Sequence, residues 1–272
     1  MATLLLPVVS VAWGHSMIPT LVLNLARDIK RREWMSGHLG SLGISHQFID
    51  AVNGFEMHEE CMRDDVDRFR RHHGRSITLG ELGCARSHLK IARMIADGPD
   101  PFVCVLEDDI ELRLETVGFL DEHLLTNLPR FDLFRLYSLP WRQKRPAWQR
   151  ATVNGHTIVA PLKSSYGTQA QIYSREGARK VGGLSITAPI DCMIYTEALI
   201  GLRIFEVRPS LVNHLTSDFE STIPDSARDP AIHTFWSKVY RPLLPRIHFL
   251  RTWGLPGLMG LIRYRFPQRD EA

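Results

Sequence analysis

Three acidic residues that follow a short apolar run are the first candidates for chemistry in this chain. Residues 102–106 read FVCVL, and Glu107, Asp108 and Asp109 come directly after them. Neighbouring carboxylates repel one another, and Mg²⁺ or Mn²⁺ relieves that repulsion because hard cations take oxygen ligands. Such cations commonly bind one or two carboxylates together with substrate phosphates, so the triplet indicates a metal site for a diphosphate-bearing ligand. A solvated strand end without a ligand is the alternative.

The elements that must position these acids alternate between strand and helix patterns. Short apolar runs predict strands, and apolar residues at helical spacing predict helices. The predicted strands are 20–25, 45–51, 102–106, 131–137, 152–160 and 167–173, and the predicted helices are 28–42, 78–98, 175–184 and 190–199. Residues 55–76 show no readable pattern. This alternation predicts an α/β fold with a mostly parallel central sheet flanked by helices, in which ligands bind at the carboxyl ends of the strands.

Length and composition favour one elaborated globular domain. The chain has 272 residues, of which 44% are hydrophobic and 23% charged, and it shows no internal repeat or low-complexity linker. We predict a domain over residues 18–234 and a basic, apolar tail over residues 235–272. A net charge of +3 is too small to favour nucleic acid as a partner.

Cysteine spacing and the amino-terminal residues bear on the cellular compartment. The four cysteines have no C-x-x-C spacing, so neither a zinc ribbon nor a disulfide framework is indicated, and a reducing compartment fits best. The apolar residues 4–13 follow no basic segment and are too short to span a bilayer, so we predict neither a signal peptide nor an anchor. The expected location is the bacterial cytoplasm.

Six sequence blocks occur along residues 20–215 in a fixed order. They are VLNL (22–25) with Arg27 and the pair Arg31 and Arg32, FIDAVNG (48–54), GELGCARSH (80–88), VLEDD (105–109), GTQA (167–170) and PID (189–191). Together these blocks resemble glycosyltransferase family 25, the group of lipooligosaccharide and collagen galactosyltransferases. The GELGCARSH block and the VLEDD block are the most specific pair.

The resemblance implies a GT-A-like nucleotide-sugar fold and a divalent metal, Mn²⁺ or Mg²⁺, at an Asp-x-Asp-like motif. It implies transfer of a hexose, typically galactose from UDP-galactose, to a hydroxyl of a saccharide acceptor in lipopolysaccharide or lipooligosaccharide biosynthesis. Glu107 and Asp109 match the outer positions of the motif, and His214 has the place of a late metal ligand. Asp108 would point to the other side of the strand and either hold the ribose or organise the turn.

Residues from four other blocks complete the predicted site. Asn24 is expected to face the uracil or ribose, with an Asx turn or helix cap as the alternative. Arg27 is expected at the diphosphate, whereas Arg31 and Arg32 are predicted to be solvated. Asp191 is the expected general base, with an ordinary helix N-cap as the alternative.

The GELGCARSH and GTQA blocks supply the remaining candidates. Ser87 and His88 are expected to contact the donor or the metal, although a satisfied core histidine remains an alternative for His88. Thr168 and Gln169 are expected to orient the donor or acceptor sugar, with simple turn chemistry as the alternative. Cys84 is interpreted as a small buried hydrophobe, because this transfer needs no thiol.

The reaction expected from these residues is direct displacement with inversion. An acceptor hydroxyl loses its proton to a carboxylate, while the metal carries charge that develops on the UDP leaving group. A metal-dependent phosphohydrolase and a degenerate, non-catalytic sugar-nucleotide-binding relative are the alternatives. The sequence has no second acidic or His-x-Asp cluster with dinuclear spacing, which disfavours the hydrolase. Glu107, Asp109 and Asp191 are intact, which disfavours the degenerate relative.

The carboxy-terminal tail has a composition of its own. Residues 238–269 contain seven lysines and arginines, no acid and many leucines, and prolines at 242, 245 and 256 interrupt the segment. Such a segment is unsuited to spanning a bilayer and suited to an anionic membrane surface, which would place the chain peripherally on the inner face of the cytoplasmic membrane near a lipid-linked acceptor. A helix packed on the domain with an arginine-rich outer face is the alternative.

Overall fold

The computed structural model describes residues 8–9, 16–139, 143–163, 167–196, 201–215 and 244–263. In chain order, the strands and α-helices are β1 (Val8–Val9), β2 (Thr20–Asn24), α1 (Ile29–Ser41), β3 (Gln47–Asp50), α2 (Glu59–His73), α3 (Leu79–Asp97), β4 (Phe102–Glu107), β5 (Ile110–Leu112), α4 (Glu122–Asn127), β6 (Leu133–Arg135), β7 (Ala147–Val153), β8 (His156–Pro161), β9 (Ala170–Ser174), α5 (Arg175–Gly182), α6 (Ile190–Thr196), β10 (Ile204–Arg208), β11 (Val212–His214) and α7 (Leu244–Arg263). Two 3-10 helices lie at Gly54–Glu56 and Leu114–Phe119.

Nine strands form one sheet in the order β1-β7-β8-β10-β6-β9-β4-β2-β3. The strand pairings show that only β8 and β9 run against the common direction, so the predicted α/β fold with a mostly parallel sheet is confirmed. Parallel pairing aligns Leu23 with Glu107 and Asn24 with Asp50. The carboxyl ends of β2, β3 and β4 therefore meet at one edge, and β5 pairs with β11 beside them.

Helices cover both faces of the sheet, and each face has its own apolar cluster. Along β4, Cys104 and Leu106 belong to the cluster that includes residues of α1 and α7, whereas Val103 and Val105 belong to the cluster of α3, α5 and α6. A strand alternates its side chains between faces, so a strand buried on both sides reads as a continuous apolar run. This is why FVCVL was readable as a strand.

One predicted feature is corrected by the structure. The single strand predicted at 152–160 is a hairpin of β7 and β8, because Asn154 and Gly155 take positive φ angles of 47° and 79°. Asn-Gly is the preferred pair for a two-residue hairpin turn of this kind. The predicted helix 190–199 corresponds to α6, and residues 197–199 lie outside the described residues.

The unreadable region 55–76 contains α2. Its apolar contacts come from Met62, Val66 and Phe69, which recur at helical spacing and pack on the cluster under α3. Three apolar residues among many charged ones give too weak a periodic signal to predict the helix from sequence.

The tail helix α7 packs on the domain with one face. Phe249 is only 2% exposed, and the ring of Trp253 stacks on Phe205 at 5.8 Å and meets Trp148 edge-on at 5.9 Å. Residues 244–263 therefore share the core of the domain, as the packed-helix alternative expected for part of the tail. The other basic residues of the tail, at 238, 241, 265 and 269, lie outside the described residues.

The part of α7 that follows a break in the helix at Gly254 carries an apolar and exposed stripe. Leu255, Leu258, Met259 and Ile262 are between 38% and 72% exposed, and they recur at the spacing i, i+3, i+4 and i+7 that usually marks a buried helix face. Within the described part of the chain, no helix is both long and apolar enough to cross a bilayer.

Candidate functional site

A cavity of about 280 Å³ lies at the carboxyl ends of β2 and β4. Its walls come from these strand ends, the loops after β2 and β3, the first turns of α3, and β11. Nine of the predicted site residues line it: Asn24, Arg27, Ser87, His88, Glu107, Asp108, Asp109, Gln169 and His214. Thr168 and Asp191 do not.

Glu107 ends β4 and faces the cavity with two close partners. His88 Nε2 lies 3.1 Å from Glu107 Oε1, and the Thr168 hydroxyl donates to the same oxygen at 2.5 Å. The imidazole of His88 is only 1% exposed, and α3 carries it beneath the strand end. Thr168 thus acts on the cavity through the carboxylate of Glu107.

Asp109 and His214 lie next to each other where β5 pairs with β11. Pairing of His214 with Ile110 places His214 Nε2 3.3 Å from Asp109 Oδ2. The hydrogen bond to Asp109 raises the pKa of His214 above its usual value, against the opposing effect of burial. The other oxygen, Asp109 Oδ1, is buried and has no hydrogen-bond partner within the described residues.

This arrangement fits a hard divalent cation. A buried carboxylate oxygen without a partner costs free energy, and a metal ion is the kind of partner that satisfies it. Glu107 supplies a second carboxylate from the same cavity, and His214 supplies an imidazole nitrogen. All three predicted ligands line one cavity, but only Asp109 and His214 are close neighbours, and the ligand atoms of the three are not all within 4.8 Å of one another. A ligand role for each remains a prediction.

Asp108 has a different environment from its neighbours. It is 7% exposed and accepts hydrogen bonds from Asn24 Nδ2 at 2.7 Å and from Arg31 Nη1 at 2.8 Å. Burial raises the pKa of Asp108, and the bonds from Asn24 and Arg31 oppose that rise. Asp108 therefore ties the ends of β4 and β2 to α1, which agrees with the expectation that it organises the turn.

The prediction that Arg31 and Arg32 are solvated is wrong for Arg31. The Arg31 side chain is 11% exposed and lies 3.6 Å from Asp109 as well as 2.8 Å from Asp108. Arg32 is half-buried, and its guanidinium donates to Asn24 Oδ1 at 3.0 Å and to Asp50 at 2.9 Å. Polar helix residues commonly face solvent, but the first turn of α1 faces the acidic strand ends.

Asn24 and Arg27 differ in how much of each side chain is free for a ligand. Asn24 is 1% exposed, and both ends of its amide are bonded, to Asp108, to the Asp28 carbonyl and to Arg32. The Arg27 side chain is 51% exposed on the cavity wall, and its closest ion pair is with Asp28 at 3.9 Å. Arg27 is thus the accessible cation for an anionic ligand.

Ser87 holds a wall of the cavity in place. Its hydroxyl donates to the Gly83 carbonyl and accepts from the Val52 N–H, both at 2.7 Å. The loop after β3 approaches α3 so closely that a Cβ on Gly54 would lie 1.9 Å from the Leu79 carbonyl, and one on Gly83 would lie 2.5 Å from the Val52 carbonyl. The glycines of the FIDAVNG and GELGCARSH blocks are needed for this contact.

Gln169 contributes an amide to the cavity lining, and Cys84 contributes a thiol. Gln169 Oε1 is buried without a hydrogen-bond partner in the part of the chain that the structure describes, so the amide offers an unused acceptor. Burial raises the pKa of the Cys84 thiol well above its usual value, and the charge of Glu107 adds to the rise. A neutral thiol agrees with the interpretation of Cys84 as a small hydrophobe.

Asp191 lies in the first turn of α6, outside the cavity lining. Its Oδ1 accepts from the Cys192 N–H at 2.8 Å, a local bond of the kind expected at a helix start. Its charge is also among those that raise the pKa of Cys84, so the carboxylate is close to the cavity wall.

Tyr137 is a site neighbour that the sequence reasoning missed. Its ring centroid lies 6.4 Å from that of His214, and burial together with the charges of Glu107 and Asp109 raises the pKa of Tyr137. Tyr137 follows the end of β6, another strand that runs in the common direction. Its position at the carboxyl end of a predicted strand was the available signal.

Comparison with known proteins identifies the class of this fold and site. The family model described as "Glycosyltransferase family 25 (LPS biosynthesis protein)" matches residues 17–194. The chain belongs to glycosyltransferase family 25.

Three relatives illustrate the range of the family. The chain is 31% identical to the "Probable inactive glycosyltransferase 25 family member 3" of Bos taurus, with 70% of this chain and 32% of the relative covered. It is 30% identical to a "Glycosyltransferase 25 family member" of Drosophila melanogaster, with 70% and 31% covered. It is 26% identical to "Procollagen galactosyltransferase 1-B" of Xenopus laevis, with 81% and 39% covered. The chain thus spans about a third of the length of these relatives.

Proposed function

We propose that this chain transfers a hexose, with galactose favoured, from a UDP-sugar to a hydroxyl of a saccharide acceptor in lipopolysaccharide or lipooligosaccharide biosynthesis. The observation that carries the proposal is the convergence of Glu107, Asp109 and His214 on one cavity with the buried, unpartnered Asp109 Oδ1. Membership of glycosyltransferase family 25, whose model is described as an LPS biosynthesis protein, supports the reaction class. The Xenopus relative named as a galactosyltransferase supports the choice of sugar.

In this proposal Glu107, Asp109 and His214 hold Mn²⁺ or Mg²⁺. The cation, when bound, neutralises the donor diphosphate and the charge that develops on the leaving group. Arg27 contributes a second positive charge at the exposed side of the cavity. Asn24 and Asp108 act mainly by fixing the strand ends at which the uridine is proposed to lie, because their polar atoms already bond each other.

Two of the protein's own residues take part in the proposed chemical step. Asp191 accepts the proton of the acceptor hydroxyl as its oxygen forms a bond to the anomeric carbon. The bond between that carbon and the phosphate oxygen breaks, and UDP leaves with the electron pair. Gln169 supports the sugar through its unused Oε1, which can accept a hydrogen bond from a hydroxyl.

Non-catalytic binding is the second candidate, because the Bos taurus relative is named as probably inactive. The acids Glu107, Asp109 and Asp191 on which transfer would depend are all present in this chain. A hydrolase of the two-metal kind gains no support from the sequence, which has no second acidic or His-x-Asp cluster with dinuclear spacing.

The test measures UDP release from several UDP-sugars, with and without Mn²⁺ and with and without a saccharide acceptor. The proposal expects release that needs both Mn²⁺ and acceptor. Release that needs Mn²⁺ but no acceptor would indicate hydrolysis. Binding of UDP-sugar without release under any of these conditions would indicate a non-catalytic relative.

We also propose that the acceptor is lipid-linked and that α7 binds an anionic membrane surface through its exposed face. Supporting observations are the outward stripe of Leu255, Leu258, Met259 and Ile262 and a basic tail without acids over residues 238–269. Apolar side chains enter the membrane interface, and nearby cations gain about 1 kcal/mol each from anionic lipid. Deleting the whole tail would also remove Phe249 and Trp253 from the core, so point substitutions test the membrane proposal better.

The experiment compares flotation with phosphatidylglycerol-containing vesicles and with phosphatidylcholine vesicles. Wild-type chain is expected to float with the anionic vesicles, and high salt is expected to weaken the binding because only the electrostatic part is screened. The double variant Leu255→Ser and Ile262→Ser should bind anionic vesicles at least about tenfold more weakly. Burial of each apolar side chain in the membrane interface contributes about 1.5 kcal/mol or more to the binding free energy. Leu114→Ser, which changes an equally exposed leucine far from α7 in sequence, is the matched control. Equal flotation of the double variant and the control would contradict the membrane proposal.

A further inference from the structure

Three side chains with different metal preferences meet on one wall of the cavity. The ligand atoms of Cys84, His88 and Glu107 all lie within 4.8 Å of one another. Cys84 and His88 are one turn apart on α3 and so share a helix face, and Glu107 ends the neighbouring strand β4. All three residues line the cavity.

We infer that Cys84, His88 and Glu107 form a binding site for a thiophilic divalent cation such as Zn²⁺. Zinc takes thiolate, imidazole and carboxylate ligands at about 2.0 to 2.3 Å, which separates tetrahedral ligand atoms by about 3.5 Å. His88 Nε2 and Glu107 Oε1 are already 3.1 Å apart, so small side-chain movements complete the set. Three protein ligands with a fourth position open to a cavity is the arrangement of zinc sites that keep an exchangeable ligand.

The imidazole of His88 already directs Nε2 at the position where such a site needs it. Without a bound cation, the 3.1 Å contact with Glu107 Oε1 favours the ring proton on Nε2, and Nδ1 is buried without a hydrogen-bond partner among the described residues. When the cation binds, the proton moves to Nδ1, and the Nε2 lone pair and the Glu107 carboxylate both bind the cation. Binding forms a zinc–sulfur bond, breaks the S–H bond of Cys84 and releases that proton to solvent.

The site differs from the proposed Mn²⁺ site in its chemistry and shares one ligand with it. Mn²⁺ and Mg²⁺ prefer oxygen ligands, whereas a thiolate selects softer cations. Glu107 cannot serve both cations fully, so Zn²⁺ at the thiol is expected to inhibit the transfer reaction. That inhibition rests on the proposed function, but the binding of Zn²⁺ does not.

The experiment uses Cd²⁺ as a spectroscopic substitute and Zn²⁺ for affinity. Adding Cd²⁺ to the full chain should produce a sulfur-to-cadmium charge-transfer band that saturates at one equivalent. Cys84→Ser should abolish the band and weaken Zn²⁺ binding at least about tenfold, measured by competition with a chromophoric chelator. Cys61→Ser removes an exposed thiol and should leave both signals unchanged.

Thermal melts of each variant establish that folding is intact, and His88→Gln provides a second probe in case the substitution of Cys84 disturbs α3. His88→Gln should weaken Zn²⁺ binding while the four thiols remain present. A Cd²⁺ band that survives Cys84→Ser, or one that disappears with Cys61→Ser, would overturn the assignment. Because the Cd²⁺ band needs no turnover, its absence can be told apart from a failure of the proposed function.

Discussion

Charged side chains have different partners in two regions of the sheet. One region, called the site end, is the carboxyl ends of β2 and β4, and the other, called the β7 end, is where α7 packs on β7. At the carboxyl ends of β2 and β4, Asp108 is matched by the cation of Arg31, while Asp109 keeps one buried oxygen without a partner among the described residues. At β7, the guanidinium of Arg150 lies 3.7 Å from the ring centroid of Trp148 and 5.2 Å from that of Trp253. Burial there lowers the pKa of Arg150.

This difference separates function from stability within one sheet. At the site end, the buried Asp109 Oδ1 lacks a partner that a cation would supply, so this arrangement is suited to binding. At β7, aromatic rings cover the Arg150 cation, and Phe249 of α7 is buried against the domain, so these contacts serve packing. Changes at the site end should therefore reduce activity with little effect on folding, and changes under α7 should do the reverse.

The largest expected effect is the loss of transfer in Asp109→Asn. An amide oxygen is a weak, uncharged ligand for a hard cation, and loss of several kcal/mol of metal stabilisation corresponds to about a thousandfold in turnover. The unfolding free energy should change by less than about 1 kcal/mol, because the contacts of Asp109 to Arg31 and His214 are long. Glu111→Gln, an exposed acid on β5, is the control for both measurements. Full turnover of Asp109→Asn in saturating Mn²⁺ would refute the metal assignment.

Phe249→Ala should show the opposite pattern. Removing a fully buried aromatic ring costs about 3 to 5 kcal/mol of unfolding free energy, and the turnover of the folded fraction should be unchanged. Chemical denaturation gives the first quantity and an assay normalised to folded protein gives the second. Leu250→Ala, at a neighbouring position that is 44% exposed, should cost no more than about 0.5 kcal/mol. Similar stability of the two variants would mean that α7 does not close the core.

Asp191→Asn is expected to lower turnover by at least about a hundredfold without weakening UDP binding. A general base acts on the acceptor, and its removal typically costs that factor or more. Calorimetric titration with UDP and a steady-state assay separate the two effects, with the half-buried helix residue Glu176 changed to Gln as the control. Weaker UDP binding with turnover retained would assign Asp191 another role.

Low pH should destabilise the folded chain through His248, which lies on α7. Burial lowers the pKa of His248 from 6.5 to about 4. The unfolded chain therefore binds a proton that the folded chain does not bind between these values, and stability falls as the pH drops from 6.5 to 4. The loss is at most about 3 kcal/mol. His248→Gln should flatten this part of the stability profile, whereas the exposed His58→Gln should not. An unchanged slope of stability against pH in His248→Gln would contradict this role of His248.

Local patterns predicted much of the scaffold. The Thr-x-x-Glu spacing of Thr78 and Glu81 is typical of a helix start, and α3 begins there with both reciprocal bonds of a capping box present. The acids after FVCVL lie at the cavity because a parallel strand delivers its carboxyl end there.

Contacts between residues that are far apart in the chain could not be predicted from the sequence. Arg31 meets Asp108 from 77 positions away, and nothing in the spacing of a polar helix face reveals that its first turn points at a strand end. Tyr137 reaches the site for the same reason, through sheet order. Which apolar residues of α7 are covered was also unpredictable, because the residues before and after the break at Gly254 are both apolar and only packing decides.

The most direct test of the central claim is the dependence of UDP affinity on Mn²⁺. Isothermal titration of the full chain with UDP, in excess Mn²⁺ and in excess chelator, measures that dependence without requiring the acceptor. We expect Mn²⁺ to strengthen UDP binding at least about tenfold in the wild-type chain, and not in Asp109→Asn, because the cation would join the carboxylates to the diphosphate. Equal UDP affinity in Mn²⁺ and in chelator would contradict the claim that Glu107, Asp109 and His214 hold a donor-binding metal.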